Sequence, residues 1–307
     1  VVLSEPQNAA LSVLPQGQGQ GIINNDDGAL PAPPVADYNA DGRTDILWRN
    51  QASHRLVVWT MDGLNKLGGG FVTVGGSPVT ADPNSSVVGT ADFDGDGDAD
   101  ILLQNNVTGV LEYWYLNGTV RVDQRFRDGL ADLNWKVAGT ADFNSDGRRD
   151  LLWRHETTGR MHVWYMNDRV LLGTADLNPA FVPTITDPSV PDLNWRVAGL
   201  GDFDGDGDPD ILFRHAASHR LVVWLMDGVN KVGGDYVNPD RPIDHDLWDV
   251  AGVWDVDQNG IADIVFRHRV SGSLVVWYLD EDQDRVCGTY FNPPALADLN
   301  WLMVGPR

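Results

Sequence analysis

Short apolar runs recur along this chain, each bounded by Gly, Asn or Asp turns. Within residues 134–172 four such runs follow one another: 135–141 (WKVAGTA), 151–154 (LLWR), 161–166 (MHVWYM) and 170–172 (VLL). β-branched and aromatic residues dominate them, and turns at 157–159 and 167–168 separate them, so the stretch predicts a four-stranded antiparallel meander. No segment sustains a 3.6-residue period, and almost no helix is expected.

The same unit returns along the chain. Its second run reads ILWR at 46–49, ILLQ at 101–104, ILFR at 211–214 and IVFR at 264–267. Its third reads VVWTM at 57–61, EYWYL at 112–116, VVWLM at 222–226 and VVWYL at 275–279. SHRLVVW stands at both 53–59 and 218–224. A four-stranded unit of about 54 residues, repeated, is the signature of a propeller blade.

Units three to five open on a Trp-bearing strand, at Trp135, Trp195 and Trp248, whereas unit one has no such strand. The missing one stands at the other end, as ADLNWLMVG over 297–305. The expectation is an all-β, five-bladed β-propeller over residues 35–307, closed by its C-terminal strand completing blade one. Residues 1–34 are rich in Gln, Gly and Pro and read as a flexible N-terminal arm.

Between the first and second strand of every unit lies an acidic nine-residue loop: DYNADGRTD at 37–45, DFDGDGDAD at 92–100, DFNSDGRRD at 142–150, DFDGDGDPD at 202–210 and DVDQNGIAD at 255–263. Calcium takes six to eight oxygens at about 2.3–2.6 Å, and alternate side chains of such a loop can turn onto one point while Gly permits the bend. The expected ligands are the side chains of positions one, three, five and nine. They are Asp37, Asn39, Asp41 and Asp45; Asp92, Asp94, Asp96 and Asp100; Asp142, Asn144, Asp146 and Asp150; Asp202, Asp204, Asp206 and Asp210; Asp255, Asp257, Asn259 and Asp263. The backbone carbonyls of position seven, Arg43, Asp98, Arg148, Asp208 and Ile261, complete each shell. An EF-hand needs a Glu at position twelve, where this chain has Trp48, Leu103, Trp153, Phe213 and Phe266. About five structural Ca²⁺ ions are therefore expected.

Charge fits that expectation. The net charge is −22 over 307 residues, and 17 carboxylates fall on the predicted ligand positions. Five bound ions would bring the total to about −12. A chain this acidic is unsuited to nucleic acid, whose phosphates need clustered Lys and Arg. The 42% apolar content supports a core. No run approaches the roughly 18 apolar residues that cross a bilayer, so no membrane insertion is expected. Cys287 is single and forms no intrachain disulfide. The absence of a basic-then-apolar leader fits a mature secreted form. Loops of this kind stay filled where calcium is abundant, so a secreted, cell-surface or periplasmic location is expected.

The repeat resembles the FG-GAP or VCBS type, with VAGTADFNSDGRRDLLWR (137–154) as its best copy, and the likeness extends over 35–305. That resemblance implies a calcium-bearing β-propeller, as in integrin α-chain heads, bacterial surface and secreted proteins, propeller lectins and some polysaccharide-processing enzymes. It implies no particular ligand. Integrin heads have seven blades with only some loops metal-bound, so integrin-type partners are not implied.

Trp59, Trp114, Trp164, Trp224 and Trp277 occupy one slot of the third strand, which assigns them to packing. A second set, Trp135, Trp195, Trp248 and Trp301, follows polar segments and is accompanied by Asn134, Asn194 and Asn300. An aromatic face beside amides can hold a pyranose, and packing accounts for the same pattern. Arg49, Arg154, Arg214 and Arg267 also repeat, as braces for loop carboxylates or as a ligand surface. No nucleophile–base–acid constellation is visible, and His162 and His245 are merely unmatched between units. The reading is a binding protein with repeated, lectin-like carbohydrate sites. The alternatives are a protein-interaction or adhesion module, and a polysaccharide lyase or hydrolase acting at the channel.

Overall fold

A computed structural model describes residues 35–182, 191–242, 244–296 and 298–306. The arm expected over 1–34 lies outside the described residues. Within them the chain is all-β, with one 3-10 turn at His245–Leu247.

Unit one holds β1 (Ile46–Asn50), β2 (Leu56–Asp62) and β3 (Asn65–Phe71), followed by the two-residue strands β4 (Thr73–Val74) and β5 (Ser77–Pro78). Unit two is β6 (Ser85–Ala91), β7 (Asp100–Asn105), β8 (Leu111–Asn117) and β9 (Val120–Arg127). Unit three is β10 (Trp135–Ala141), β11 (Asp150–His155), β12 (Met161–Asn167) and β13 (Val170–Asp176). Unit four is β14 (Trp195–Gly201), β15 (Asp210–His215), β16 (Leu221–Asp227) and β17 (Asn230–Gly233). Unit five is β18 (Trp248–Trp254), β19 (Asp263–His268), β20 (Ser273–Leu279) and β21 (Arg285–Ala295), and β22 (Trp301–Gly305) ends the chain.

Units three and four are four-stranded sheets in chain order, and unit two is extended by β4 and β5. The remaining sheet runs β18-β19-β20-β21-β3-β2-β1-β22, its two halves joined at the parallel pair Asn292–Asn65. The last strand therefore sits antiparallel beside the first, with Met303 opposite Trp48 and Trp301 opposite Asn50.

Each apolar cluster lies between two units. Leu56 and Val58 of unit one pack with Ile101, Leu103 and Trp114 of unit two. Tyr113 and Tyr115 of unit two meet Leu151, Trp153 and Met166 of unit three. Met161 and Val163 meet Ile211 and Phe213; Leu221 and Val223 meet Ile264 and Phe266. Val265 and Leu274 of unit five then meet Ile46, Trp48 and Met303, so the series returns to unit one. A meander has two apolar faces and cannot bury both alone, which is why the cores are shared.

The five third-strand Trp side chains are all buried, as their regular slot predicts. Within a blade they tilt against the second-strand slot: Trp48–Trp59 and Trp153–Trp164 at 4.9 Å, Phe213–Trp224 at 5.0 Å, Phe266–Trp277 at 4.8 Å. The inner strands approach closely through glycine. A Cβ on Gly305 of β22 would stand 2.6 Å from Thr90 Cγ2 of β6, closer than real Cβ contacts come.

Candidate metal centres

The acidic loops join the first and second strands of each unit, and their geometry repeats. Position two is Tyr38, Phe93, Phe143, Phe203 or Val256, buried in every case, and it anchors the loop in the apolar core. Position six is glycine with φ between +81° and +97° at Gly42, Gly97, Gly147, Gly207 and Gly260. No atom lies within 4 Å of where a Cβ would stand on these five, so conformation alone requires glycine there. Their amides turn inward onto position one. The N–H of Gly42 donates to Asp37 Oδ2 at 2.8 Å, Gly97 to Asp92 at 3.0 Å, Gly147 to Asp142 at 2.7 Å, and Gly207 and Gly260 to Asp202 and Asp255 at 2.8 Å.

Position nine is the structural centre. Asp45, Asp100, Asp150, Asp210 and Asp263 have no exposed surface. One oxygen of each accepts the position-two N–H: Tyr38, Phe93 and Phe143 at 3.0 Å, Phe203 at 2.7 Å, Val256 at 2.9 Å. The other accepts an N–H from the third strand: Met61, Met166 and Met226 at 2.8 Å, Leu116 at 2.9 Å, Leu279 at 3.1 Å. Burial, opposed by these bonds, pushes the carboxyls of Asp45 and Asp150 up to about 7 and those of Asp100, Asp210 and Asp263 up to about 8.

Positions three and five converge as well. Oxygens of Asp92, Asp94 and Asp96 lie within 4.8 Å of one another, as do those of Asp202, Asp204 and Asp206, and those of Asp255, Asp257 and Asp263. Burial and then the neighbouring Asp96 and Asp206 raise the Asp94 and Asp204 carboxyls. In loops one and three the amide of Asn39 or Asn144 bonds Asp41 or Asp146, at 2.9 and 3.0 Å. Position-seven side chains go elsewhere: Arg43 pairs with Asp62, and Arg148 bonds Asn167, both at the hairpin after the third strand. This all-oxygen donor set, aimed at one point, fits a hard divalent cation.

The second tryptophan set occupies the opposite ends of the strands. Trp135, Trp195, Trp248 and Trp301 are half-buried. Trp135 meets His155 edge-on at 5.0 Å and lies 6.1 Å from His162. Trp195 meets His215 at 5.0 Å and Tyr236 at 6.3 Å, Trp248 meets His268 at 4.8 Å, and Trp301 lies 6.2 Å from Phe71. The Asn partners are exposed but engaged locally: the Nδ2 groups of Asn134, Asn194 and Asn300 donate to Asp132, Asp192 and Asp298 at 2.8, 3.0 and 2.9 Å. These are Asx-type turns that shape the way into the first strand. His162 Nδ1 lies 2.8 Å from Asp176, and His245 Nε2 lies 3.4 Å from Asp246.

The repeated arginines do not brace loop carboxylates. Arg49, Arg154 and Arg214 reach backbone carbonyls of the next unit, as Arg154 does to Trp195 at 2.8 Å, whereas Arg267 does not.

No curated protein matches the chain in sequence. Among solved structures, a Bacteroides caccae protein of unknown function aligns with TM-score 0.46 at 14% identity, over 83% of this chain and 80% of its own. An Agrocybe aegerita lectin, described as recognising non-reducing terminal N-acetylglucosamine, aligns with TM-score 0.40 at 14% identity over 88% of both chains. The Dos1 propeller aligns with TM-score 0.38 at 12% identity, over 85% of this chain and 63% of its own. The family profile of the FG-GAP-like repeat matches residues 37–103 and 142–213. Those segments hold four of the five acidic loops, and the fifth, at 255–263, shares their loop geometry: over these stretches the chain carries FG-GAP-like repeats.

Proposed function

We propose that this chain is a calcium-stabilised, five-bladed β-propeller that works as a secreted binding protein for carbohydrate through repeated sites. Calcium sits in each acidic loop, held by the side chains at positions one, three, five and nine and by the position-seven carbonyl. Its role is structural, because position nine already ties the loop to the third strand of its own blade.

The observation that carries the binding reading is the half-buried tryptophan at the head of a first strand, with a second ring beside it in unit after unit. Such an aromatic shelf offers a sugar a flat apolar face, and the exposed Asn134, Asn194 and Asn300 each stand one residue before such a tryptophan. Repetition gives a glycan surface avidity without strong single sites. A glycan array probed with calcium and with EDTA tests this. Binding that needs calcium and falls on changing Trp195→Ala supports it; no glycan signal with the folded, calcium-loaded chain overturns it.

A protein-interaction role is the second reading. Val122, Phe126, Leu172 and Val286 on the fourth strands are all more than half exposed. Such a rim can take a surface protein as partner.

A further inference from the structure

The second strand of each unit carries a long polar side chain near its end, and four of the five reach the next unit. Arg49 donates to the carbonyls of Ser85 and, at 2.8 Å, Asp82. Gln104 donates to the carbonyl of Trp135 at 3.2 Å, Arg154 to Trp195 at 2.8 Å and Arg214 to Trp248 at 2.5 Å. Arg267 breaks the series. It is 7% exposed, and its Nε and Nη2 have no hydrogen-bond partner. Its guanidinium lies 5.7 Å from the Trp48 ring. Guanidinium donors left unmet in a buried position are costly unless something arrives to use them.

Arg267 lines a cavity of about 330 Å³ where β14, β18 and β22 begin. Arg196, Arg214 and Arg269 line it too, with Asp249 as the one carboxylate and Val250 and Met303 among its apolar lining. Asp249 is already engaged: Arg269 holds it at 2.6 and 2.7 Å and Arg214 at 3.3 Å. Arg196 is exposed and makes no side-chain hydrogen bond or ion pair among the described residues. Two uncommitted guanidiniums thus share one cavity in a chain of net charge −22.

We propose that this cavity is a binding site for a carboxylate-bearing sugar, with Arg196 and Arg267 taking the carboxylate and Val250 and Met303 carrying the ring. Guanidinium matches a carboxylate with two parallel bonds, and a cavity near 300 Å³ is at the small end of ligand sites. The acidic loops do not compete for the ligand. β14 lines the cavity with Arg196, Val197 and Ala198 and runs on to Gly201, where its loop starts, and Arg196 and Gly201 lie about 16 Å apart along the strand. The site is single and cationic, and so goes beyond the repeated tryptophan shelves.

Titration calorimetry of the full chain with glucuronate in millimolar calcium tests it, with inorganic sulfate titrated separately and glucose as competitor. The expected result is saturable glucuronate binding that weakens with added NaCl, resists glucose, and falls about tenfold in Arg196→Gln. Arg267→Met removes it, and Arg196→Gln keeps the test decisive should that variant misfold. Absence of glucuronate binding, equal affinity for sulfate, displacement by glucose, or unchanged binding in Arg196→Gln overturns the proposal. Glycan signals from the tryptophan shelves are unmoved by Arg196→Gln, so the two readings fail separately.

Discussion

Asp100 belongs to an acidic loop, yet its Oδ1 accepts the N–H of Leu116, sixteen residues away on the third strand of the blade, at 2.9 Å. Its Oδ2 accepts the N–H of Phe93 within the loop at 3.0 Å. One carboxylate therefore fastens the loop to the sheet. All five position-nine aspartates make this pair of bonds, so the loop is a joint of the blade as well as a candidate metal site.

Replacing Asp100 or Asp210 by Ala strands two buried N–H donors. Each change is expected to cost about 2–4 kcal/mol, read as a fall in the urea midpoint with the slope unchanged. A loss below a few tenths of a kcal/mol would show that the joint carries no load.

Acidity acts oppositely on the metal-free and metal-loaded forms. Burial raises the position-nine carboxyls from 3.8 to about 7 in Asp45 and Asp150 and about 8 in Asp100, Asp210 and Asp263. A folded-state value above the unfolded one means that the fold binds the proton more tightly. That contribution is complete below the unfolded value and is lost as pH rises through 7 to 8. In EDTA the melting temperature should therefore climb as pH is lowered from about 8.5 to about 6. In calcium the cation replaces the proton, so the order reverses: stability is higher at the alkaline end, and acid releases metal. Calorimetric scans across that range with and without EDTA check both signs.

Gly207→Ala should cost roughly 1 kcal/mol even without metal, because φ is +92° there and no neighbour crowds the new methyl. The same change at Gly70, where φ is not positive and no atom lies within 4 Å, should be far milder. Equal effects would contradict the conformational explanation.

Arg154 and Arg267 hold equivalent places in their blades and should differ in value. Arg154→Met loses a 2.8 Å bond to the Trp195 carbonyl and should cost about 1–3 kcal/mol. Arg267→Met removes a buried cation with two idle donors and should be neutral or stabilising in the absence of ligand. Paired denaturation curves decide it.

Much of the strand pattern was legible in the residues. Strand β10 runs from Trp135 to Ala141, the limits its apolar pattern predicts, because its last residues, Gly139 to Ala141, are all buried inside the blade stack and no polar run blurs its end. Strand β13 extends to Asp176, past the apolar run 170–172, because an outer strand faces solvent and mixes polar residues into its ladder. The pairing of β22 with β1 follows from the strand missing in unit one and supplied at 297–305. What the loops do beyond collecting carboxylates was not legible: the bond from Met61 to Asp45 spans a hairpin, and no local spacing encodes it. Of the two roles open to the repeated arginines, the brace for loop carboxylates fails for a similar reason. Arg49, Arg154 and Arg214 reach backbone carbonyls, which leave no trace in residue identity. The Asp132–Asn134 turn has a local signal, an Asx residue two places before the amide it holds, that competes with any ligand role for that Asn.

The central claim is that a divalent ion holds each acidic loop. Elemental analysis of chain dialysed against calcium, paired with a thermal melt before and after EDTA, tests it directly. About five calcium ions per chain and a melting temperature lowered by about 10 °C or more on chelation are the predicted result. Dialysed protein that retains no calcium, with a melting curve indifferent to EDTA, would contradict it.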